Sequence, residues 1–109
     1  MKREENSIVN SQGSLSVSDE SIARLLCDDN HVEEAVRLIM KKYGEPLYWH
    51  IRRMVVAHDD AEDCLQETMI NVYKYRSTYS NEYPLSSWLY KIATNESLKL
   101  LKNRSGFTM

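Results

Sequence analysis

The sequence predicts an all-α fold, a compact bundle of about four to five helices. Only three Gly and two Pro occur in 109 residues, fewer than a fold rich in β-turns needs. Apolar residues recur at the three- and four-residue spacing of amphipathic helices over most of the chain. A chain of this length can bury one core, so we expect a single helical domain over residues 18–104.

Residues 1–17 precede the predicted helices and are polar without apolar periodicity, so we interpret them as a disordered tail. Ser18 is the predicted N-cap of the first helix, because Asp19 and Glu20 follow it and acids in a first turn complement the helix dipole. The inward residues of this short helix are predicted to be Ile22, Leu25 and Leu26.

Two further helices are predicted between residues 30 and 57. Asn30 and Glu33 have the spacing of a capping box and predict the start of the second helix. Gly44 is expected to end it, and Pro46 to occupy the first turn of a third helix that reaches about Ala57. The predicted inward residues of the two helices are Val32, Ala35, Val36, Ile39, Tyr43, Leu47, Ile51, Met54 and Val55.

The last two predicted helices are separated by a loop at residues 77–84. Asp59 and Glu62 repeat the capping-box spacing and open the fourth helix, while the last helix runs from Leu85 to about Arg104. The predicted inward residues are Ala61, Leu65, Thr68 and Val72 in the fourth helix and Leu85, Leu89, Ile92, Ala93 and Leu100 in the last. Glu96 falls on the inward stripe, so either the last helix is rotated from this estimate or Glu96 reaches an Arg or Lys of another helix, for example Arg52 or Arg53.

Charge is sorted along the chain, although the formal net charge is only −2. Residues 59–67 contain five acids and no base, whereas residues 88–104 contain four bases and one acid. A chain with two such poles can offer one surface to each of two partners.

Cys27 and Cys64 fit no metal-binding or redox spacing and are expected to be reduced. No apolar run has the length of a membrane span, so we expect a cytoplasmic protein without membrane insertion.

One face of the fourth helix carries acids and an amide around an isoleucine. At about 100° per residue, its members are Asp63, Gln66, Glu67, Ile70 and Lys74. An apolar centre inside a polar rim is typical of a protein–protein hot spot, and the acids predict a basic partner. A solvated face with one exposed isoleucine is the alternative that the sequence leaves open.

A basic stripe with an amide and a tryptophan runs along the last helix. Its members follow one another at steps of three or four residues and are Trp88, Lys91, Asn95, Lys99 and Lys102. Lysines neutralise phosphates, an amide can bond base edges and an indole can stack on a base, so the stripe fits a nucleic-acid strand. The alternative is an ordinary amphipathic helix with its lysines in solvent.

Two segments, DAEDCLQETMINVYK and SSWLYKIATN, separated by an aromatic-bearing loop, resemble region two of bacterial extracytoplasmic-function sigma factors. The resemblance covers roughly residues 19–104 and implies a transcription initiation factor domain of the sigma region 2 type. This sequence departs from the family pattern at three positions. Tyr73 stands where tryptophan is frequent, Lys91 stands where arginine is, and Pro84 stiffens the loop.

The resemblance implies one surface for RNA polymerase core enzyme and one for promoter DNA. The fourth helix would dock on the clamp coiled coil of the largest polymerase subunit through Asp63, Gln66, Glu67, Ile70 and Asn71. The last helix would recognise and help to melt the minus-ten element on the non-template strand. There Trp88 would brace the duplex edge, Lys91 and Lys102 would hold phosphates, and Asn95 and Lys99 would face bases. The loop residues Ser80, Asn81, Glu82 and Tyr83 would hold an extruded base.

The resemblance also implies an anti-sigma factor as a further partner. Family members continue through a linker into a second, region 4 domain, which reads the minus-thirty-five element. Nothing in this sequence corresponds to that domain, so we interpret residues 105–109 as the start of the linker.

Two alternative functions remain open at the level of the sequence. A helical protein-interaction module or regulator would use the acidic face and would not bind DNA. His58 and Asp59 form an HD pair, as in metal-dependent phosphohydrolases, but only His31 and His50 are left to complete a metal site. We therefore expect no metal, no other cofactor and no enzymatic activity.

Overall fold

The computed structural model describes residues 17–105, and these form four α-helices and one turn of 3-10 helix. The helices are α1 (Asp19–Leu26), α2 (Val32–Arg52), α3 (His58–Lys74), the 3-10 turn (Arg76–Thr78) and α4 (Leu85–Ser105). The predicted all-α bundle is confirmed. Residues 1–16 of the predicted tail and 106–109 of the predicted linker lie outside the described part of the chain. None of the four helices is both long and apolar enough to cross a membrane.

The core lies where α2, α3 and α4 pack together, and α1 packs against α2. Most predicted inward residues are confirmed, because Ile22, Leu26, Val32, Ala35, Ile39, Leu47, Ile51, Val55, Ala61, Leu65, Thr68, Val72, Leu85, Leu89 and Ala93 are buried. Six other predicted inward residues are only partly buried and lie at the edge of the core, namely Leu25, Val36, Tyr43, Met54, Ile92 and Leu100. Full burial of one leucine or isoleucine contributes about 1.5–3 kcal/mol, so this core is the main source of stability.

The second and third predicted helices are one continuous helix in the structure. α2 passes through Gly44 and Pro46, so the prediction that Gly44 ends a helix was wrong. Leu47 and Ile51 are fully buried in the same core cluster as Ile39. Burial of that continuous stripe outweighs the cost inside a helix, which is about 1 kcal/mol for Gly and about 3 kcal/mol for Pro.

The turn before α2 is organised by Asp28 rather than by the predicted capping box of Asn30 and Glu33. The Asp28 carboxylate accepts a hydrogen bond from the backbone N–H of Asn30 at 3.0 Å and lies 2.8 Å from Nδ1 of His31. His31 is the N-cap residue of α2 and makes no side-chain capping bond, so that prediction was wrong. An aspartate that bonds the N–H two residues later closes the turn by itself. Ser18 does cap α1 as predicted.

The start of α3 also differs from its predicted capping box. Ala57 has extended backbone and is the N-cap residue, so the helix begins at His58 and Asp59 lies inside its first turn. Asp60 forms a two-bond ion pair with Arg104 at 2.7 and 3.0 Å, which holds the end of α4 against the start of α3. The acidic and basic stretches of the sequence therefore neutralise each other in part.

His50 connects α2 to α4 beside the core. Its Nε2 lies 2.7 Å from Oγ1 of Thr94, and its ring packs edge-on against Tyr90 at 5.0 Å. Burial, with a smaller contribution from the positive charge of Arg53, lowers the pKa of His50 below its ordinary value of 6.5. The folded domain therefore favours the neutral imidazole.

We expect Pro46→Ala to raise the free energy of unfolding by about 1–2 kcal/mol, because alanine supplies the backbone N–H that proline lacks inside α2. Pro46 is exposed, so little packing is lost. Urea unfolding followed by circular dichroism measures the change. Glu45→Ala, an exposed neighbour, is the control and should alter stability by less than about 0.5 kcal/mol. A destabilised Pro46→Ala variant would contradict this account of α2.

We expect His50 to make the domain sensitive to acid. Its pKa is lower in the folded than in the unfolded state, so the unfolded state binds more protons below about pH 6.5 and stability falls there. His50→Gln removes the titration and keeps a polar group that can reach Thr94. Between about pH 7 and about pH 5, the wild-type free energy of unfolding should fall more steeply than that of His50→Gln. Parallel curves would show that His50 does not cause the loss.

Candidate functional site

The predicted docking face of α3 is exposed to solvent. All five of its members are exposed, namely Asp63, Gln66, Glu67, Ile70 and Lys74. Ile70 keeps 49% of its surface accessible, while the buried side of the same helix carries Leu65 and Val72. Ile70 is therefore a surface residue at the centre of an acidic face rather than a core residue.

Asn71, predicted to belong to the same contact set, is turned toward α4. Its Nδ2 donates a hydrogen bond to Oε2 of Glu96, and both side chains are partly buried. The partner of Glu96 is thus an amide of α3, so the alternative that it reaches an Arg or Lys such as Arg52 or Arg53 was wrong. α3 packs on the side of α4 that carries Glu96, whereas α2 meets α4 on the side that carries Thr94.

A cleft of about 630 Å³ opens between α4 and the segment that follows α3. Five of the predicted nucleic-acid residues line it, namely Trp88, Lys91 and Asn95 from α4 and Ser80 and Tyr83 from the loop. Its other lining residues are Tyr75, Thr78, Tyr79, Ser87 and Ile92, none of which was predicted as a site residue. The cleft thus combines aromatic surfaces with hydroxyl groups, an amide and a lysine.

The loop beside this cleft is closed by bonds within residues 79–83. The backbone N–H of Tyr83 donates to the carbonyl of Ser80 at 3.2 Å, and that of Glu82 donates to Oγ of Ser80 at 3.2 Å. The Tyr79 hydroxyl donates to the carbonyl of Tyr83 at 3.2 Å. The Tyr79 ring packs against the Trp88 indole with centroids 5.3 Å apart. The loop is therefore shaped before any ligand arrives.

The predicted base-binding residues lie on two sides of the loop. Asn81 and Glu82 line a second cleft of about 880 Å³ between the loop and α1, away from Lys91 and Asn95. Tyr79 and Tyr83 border both clefts and form the wall between them. Sequence neighbours in a tight loop point to opposite sides, which a linear motif cannot reveal.

The remaining two lysines of the predicted stripe lie outside the first cleft. Lys99 lines a groove of about 460 Å³ between α3 and α4, together with the carboxylates of Asp63, Glu67 and Glu96. Lys102 is exposed on α4, near its end. Lys91 and Asn95, the first cation and the one amide of the stripe, therefore lie beside the aromatic loop, whereas Lys99 adjoins the acidic face of α3.

Burial perturbs two groups near these surfaces. It raises the pKa of the Tyr79 hydroxyl above 10.0, with smaller contributions from Asp19 and Cys27, so this group stays a hydrogen-bond donor at neutral pH. It also raises the pKa of the Cys64 thiol, which lies beneath the groove between α3 and α4. Cys64 is buried, Cys27 is exposed, and neither forms a disulfide.

The histidines considered as metal ligands lie in different surroundings. Nδ1 of His58 is 2.5 Å from the Tyr48 hydroxyl, while His50 contacts Thr94 and His31 contacts Asp28. Within residues 17–105, no three His, Cys, Asp or Glu side chains are grouped so as to hold a metal ion.

Comparison with known proteins identifies the family. A family model described as Sigma-70 region 2 matches residues 39–106. The "ECF RNA polymerase sigma factor SigG" of Mycobacterium tuberculosis, in strains CDC 1551 and H37Rv, is 37% identical over 62 residues. That match covers 57% of this chain and 17% of the relative, so the chain spans less than a fifth of the length of these curated relatives. No solved structure matches the chain.

The family model covers more than half of the sequence, and it includes both motifs that carried the resemblance. The chain therefore belongs to the sigma-70 region 2 family and is of the extracytoplasmic-function type that these motifs predicted.

Proposed function

We propose that this domain acts in transcription initiation by binding RNA polymerase core enzyme through α3 and the non-template strand of the minus-ten element through α4. The observation that carries the proposal is the cleft in which Trp88, Lys91 and Asn95 meet Ser80 and Tyr83. Family membership supports the same role. The proposed role consists of binding alone and requires no catalytic residue.

The cleft offers what an unpaired base and its phosphate need. Stacking of a base on an aromatic side chain is worth about 1–3 kcal/mol, which is comparable to the few kcal/mol that extrusion from a duplex costs. Trp88 and Tyr83 supply aromatic surfaces, Asn95 supplies hydrogen-bonding groups for a base edge, and Lys91 supplies a charge for phosphate. Since these groups engage an unpaired strand better than a duplex, binding favours the melted promoter.

The acidic face of α3 suits a basic partner with an apolar contact. Ile70 is about half exposed and is flanked by Asp63, Gln66 and Glu67, so a partner can desolvate one isoleucine and pair its cations with the acids around it. We propose the clamp coiled coil of the largest polymerase subunit as that partner. An anti-sigma factor remains a predicted second partner.

We expect Ile70→Glu to change the free energy of unfolding by less than about 0.5 kcal/mol, because the site is exposed, and to weaken binding to core polymerase by about 1–2 kcal/mol or more. Calorimetric titration with a clamp coiled-coil fragment measures the effect. Leu98→Glu is the matched control, since Leu98 is also about half exposed but lies on α4. Equal affinities of wild type and Ile70→Glu would remove the docking proposal.

We expect Asn95→Ala to change which promoter sequences are used, because its amide faces base edges, and Lys91→Ala to weaken binding to all sequences alike. Lys91→Ala should also reduce the slope of log affinity against log salt by about 1. Binding of the complex with core polymerase to a pool of promoter sequences measures both effects. Lys41→Ala, an exposed lysine of α2, is the control.

Two outcomes would count against this assignment. If Asn95→Ala and Lys91→Ala have the same effect on every sequence, α4 contacts phosphates and does not read bases. If neither variant nor the charge reversal of Lys91 alters promoter binding, the domain is a protein-interaction module without DNA binding.

A further inference from the structure

Tyr79 joins the loop to the core, and neither motif of the sequence includes it. Its ring packs against Trp88 and against the edge of the hydrophobic core, while its hydroxyl donates to the backbone carbonyl of Tyr83. The loop positions 81–84, by contrast, are exposed. One side chain thus connects a surface loop both to the body of the bundle and to the tryptophan of the cleft.

We propose that Tyr79 is the positioning residue for capture of the unpaired base. This inference rests on the proposed function, and it adds that the cleft is kept open by the hydrogen bond from the Tyr79 hydroxyl to the Tyr83 carbonyl. With that bond in place, Tyr83 borders the cleft from the loop and Trp88 borders it from α4. Tyr79 itself acts through them and is not required to touch the base.

The physical basis is preorganisation. A loop that must be ordered on binding adds its conformational entropy to the cost of the complex, whereas a loop already held in place does not. Bonds within residues 80–83 shape the loop locally, and Tyr79 joins that shape to α4, because its hydroxyl bonds the Tyr83 carbonyl while its ring packs on Trp88. Burial raises the pKa of Tyr79, which preserves the donor throughout the neutral pH range.

The wall position of Tyr79 gives the inference a second consequence. Tyr79 separates the cleft that holds Lys91 and Asn95 from the second cleft, whose charged lining residues are three acids and one base, namely Asp19, Glu20, Glu82 and Arg24. The acids outnumber the base in that lining, and an excess of carboxylates repels a phosphate backbone, so a strand is favoured in the cleft that holds Lys91. A loop released from Tyr79 would no longer keep the two sides apart.

The test is Tyr79→Phe, which removes the hydroxyl and keeps the ring packed on Trp88. The complex with core polymerase is titrated with forked DNA that carries a randomised single-stranded minus-ten segment, and with fully duplex DNA of the same composition. We expect affinity for forked DNA to fall about three- to tenfold, the range that follows from loss of one neutral hydrogen bond. Affinity for duplex DNA and for polymerase should stay unchanged.

One control, Tyr73→Phe, and the two variants Lys91→Ala and Asn95→Ala make the outcomes distinct. Tyr73→Phe removes a hydroxyl from an exposed tyrosine of α3 outside both clefts and should leave forked and duplex binding unchanged. The positioning role is overturned if Tyr79→Phe weakens binding of forked and duplex DNA equally. It is also overturned if the variant weakens binding of neither DNA. If Lys91→Ala and Asn95→Ala also leave forked binding intact, the proposed function itself fails. If they weaken it while Tyr79→Phe does not, only the inference about Tyr79 fails.

Discussion

The arrangement of both candidate surfaces depends on the burial of one stripe of α4 between α2 and α3. Leu85, Leu89, Ala93 and Ser97 lie on that stripe, and each is at most 1% exposed. Their burial fixes the rotation of α4 about its axis, since turning the helix by one residue position would expose apolar groups and bury lysines. Once the rotation is fixed, Lys91 and Asn95 must point outward, next to the loop that precedes the helix.

Polar contacts between α3 and α4 then set how the two surfaces relate. Asp60 pairs with Arg104 at one end of the helix pair, and Asn71 bonds Glu96 nearer the other end. Arg104 remains largely exposed to solvent, so its ion pair contributes little to stability, and we interpret both contacts as setting the register of α3 against α4. They hold the acidic face of α3 beside the basic stripe of α4, with the groove that contains Lys99 between them.

The loop before α4 shows how a short segment acquires a fixed shape and position. Its shape comes from hydrogen bonds among residues 79–83, and its position comes from the packing of Tyr79 on Trp88. The same aromatic pair that packs on the edge of the core also borders the cleft, so these two residues belong both to the core and to the proposed binding surface. α1 lies across the second cleft from the loop and forms the far wall of that cleft.

The all-α class, the inward stripes and the exposed Ile70 followed from the sequence, because hydrophobic periodicity reports directly which side of a helix is buried. The family also followed from two local motifs. Only the tertiary structure decided that α2 continues through Gly44 and Pro46. Burial of Leu47 and Ile51 outweighs the low helix propensity of the glycine and the proline. The tertiary structure likewise decided that Glu96 meets Asn71, that Lys99 joins the acidic groove, and that Asn81 and Glu82 face away from Lys91. Those pairings join residues far apart in the chain or on opposite sides of one loop, and local spacing carries no information about either.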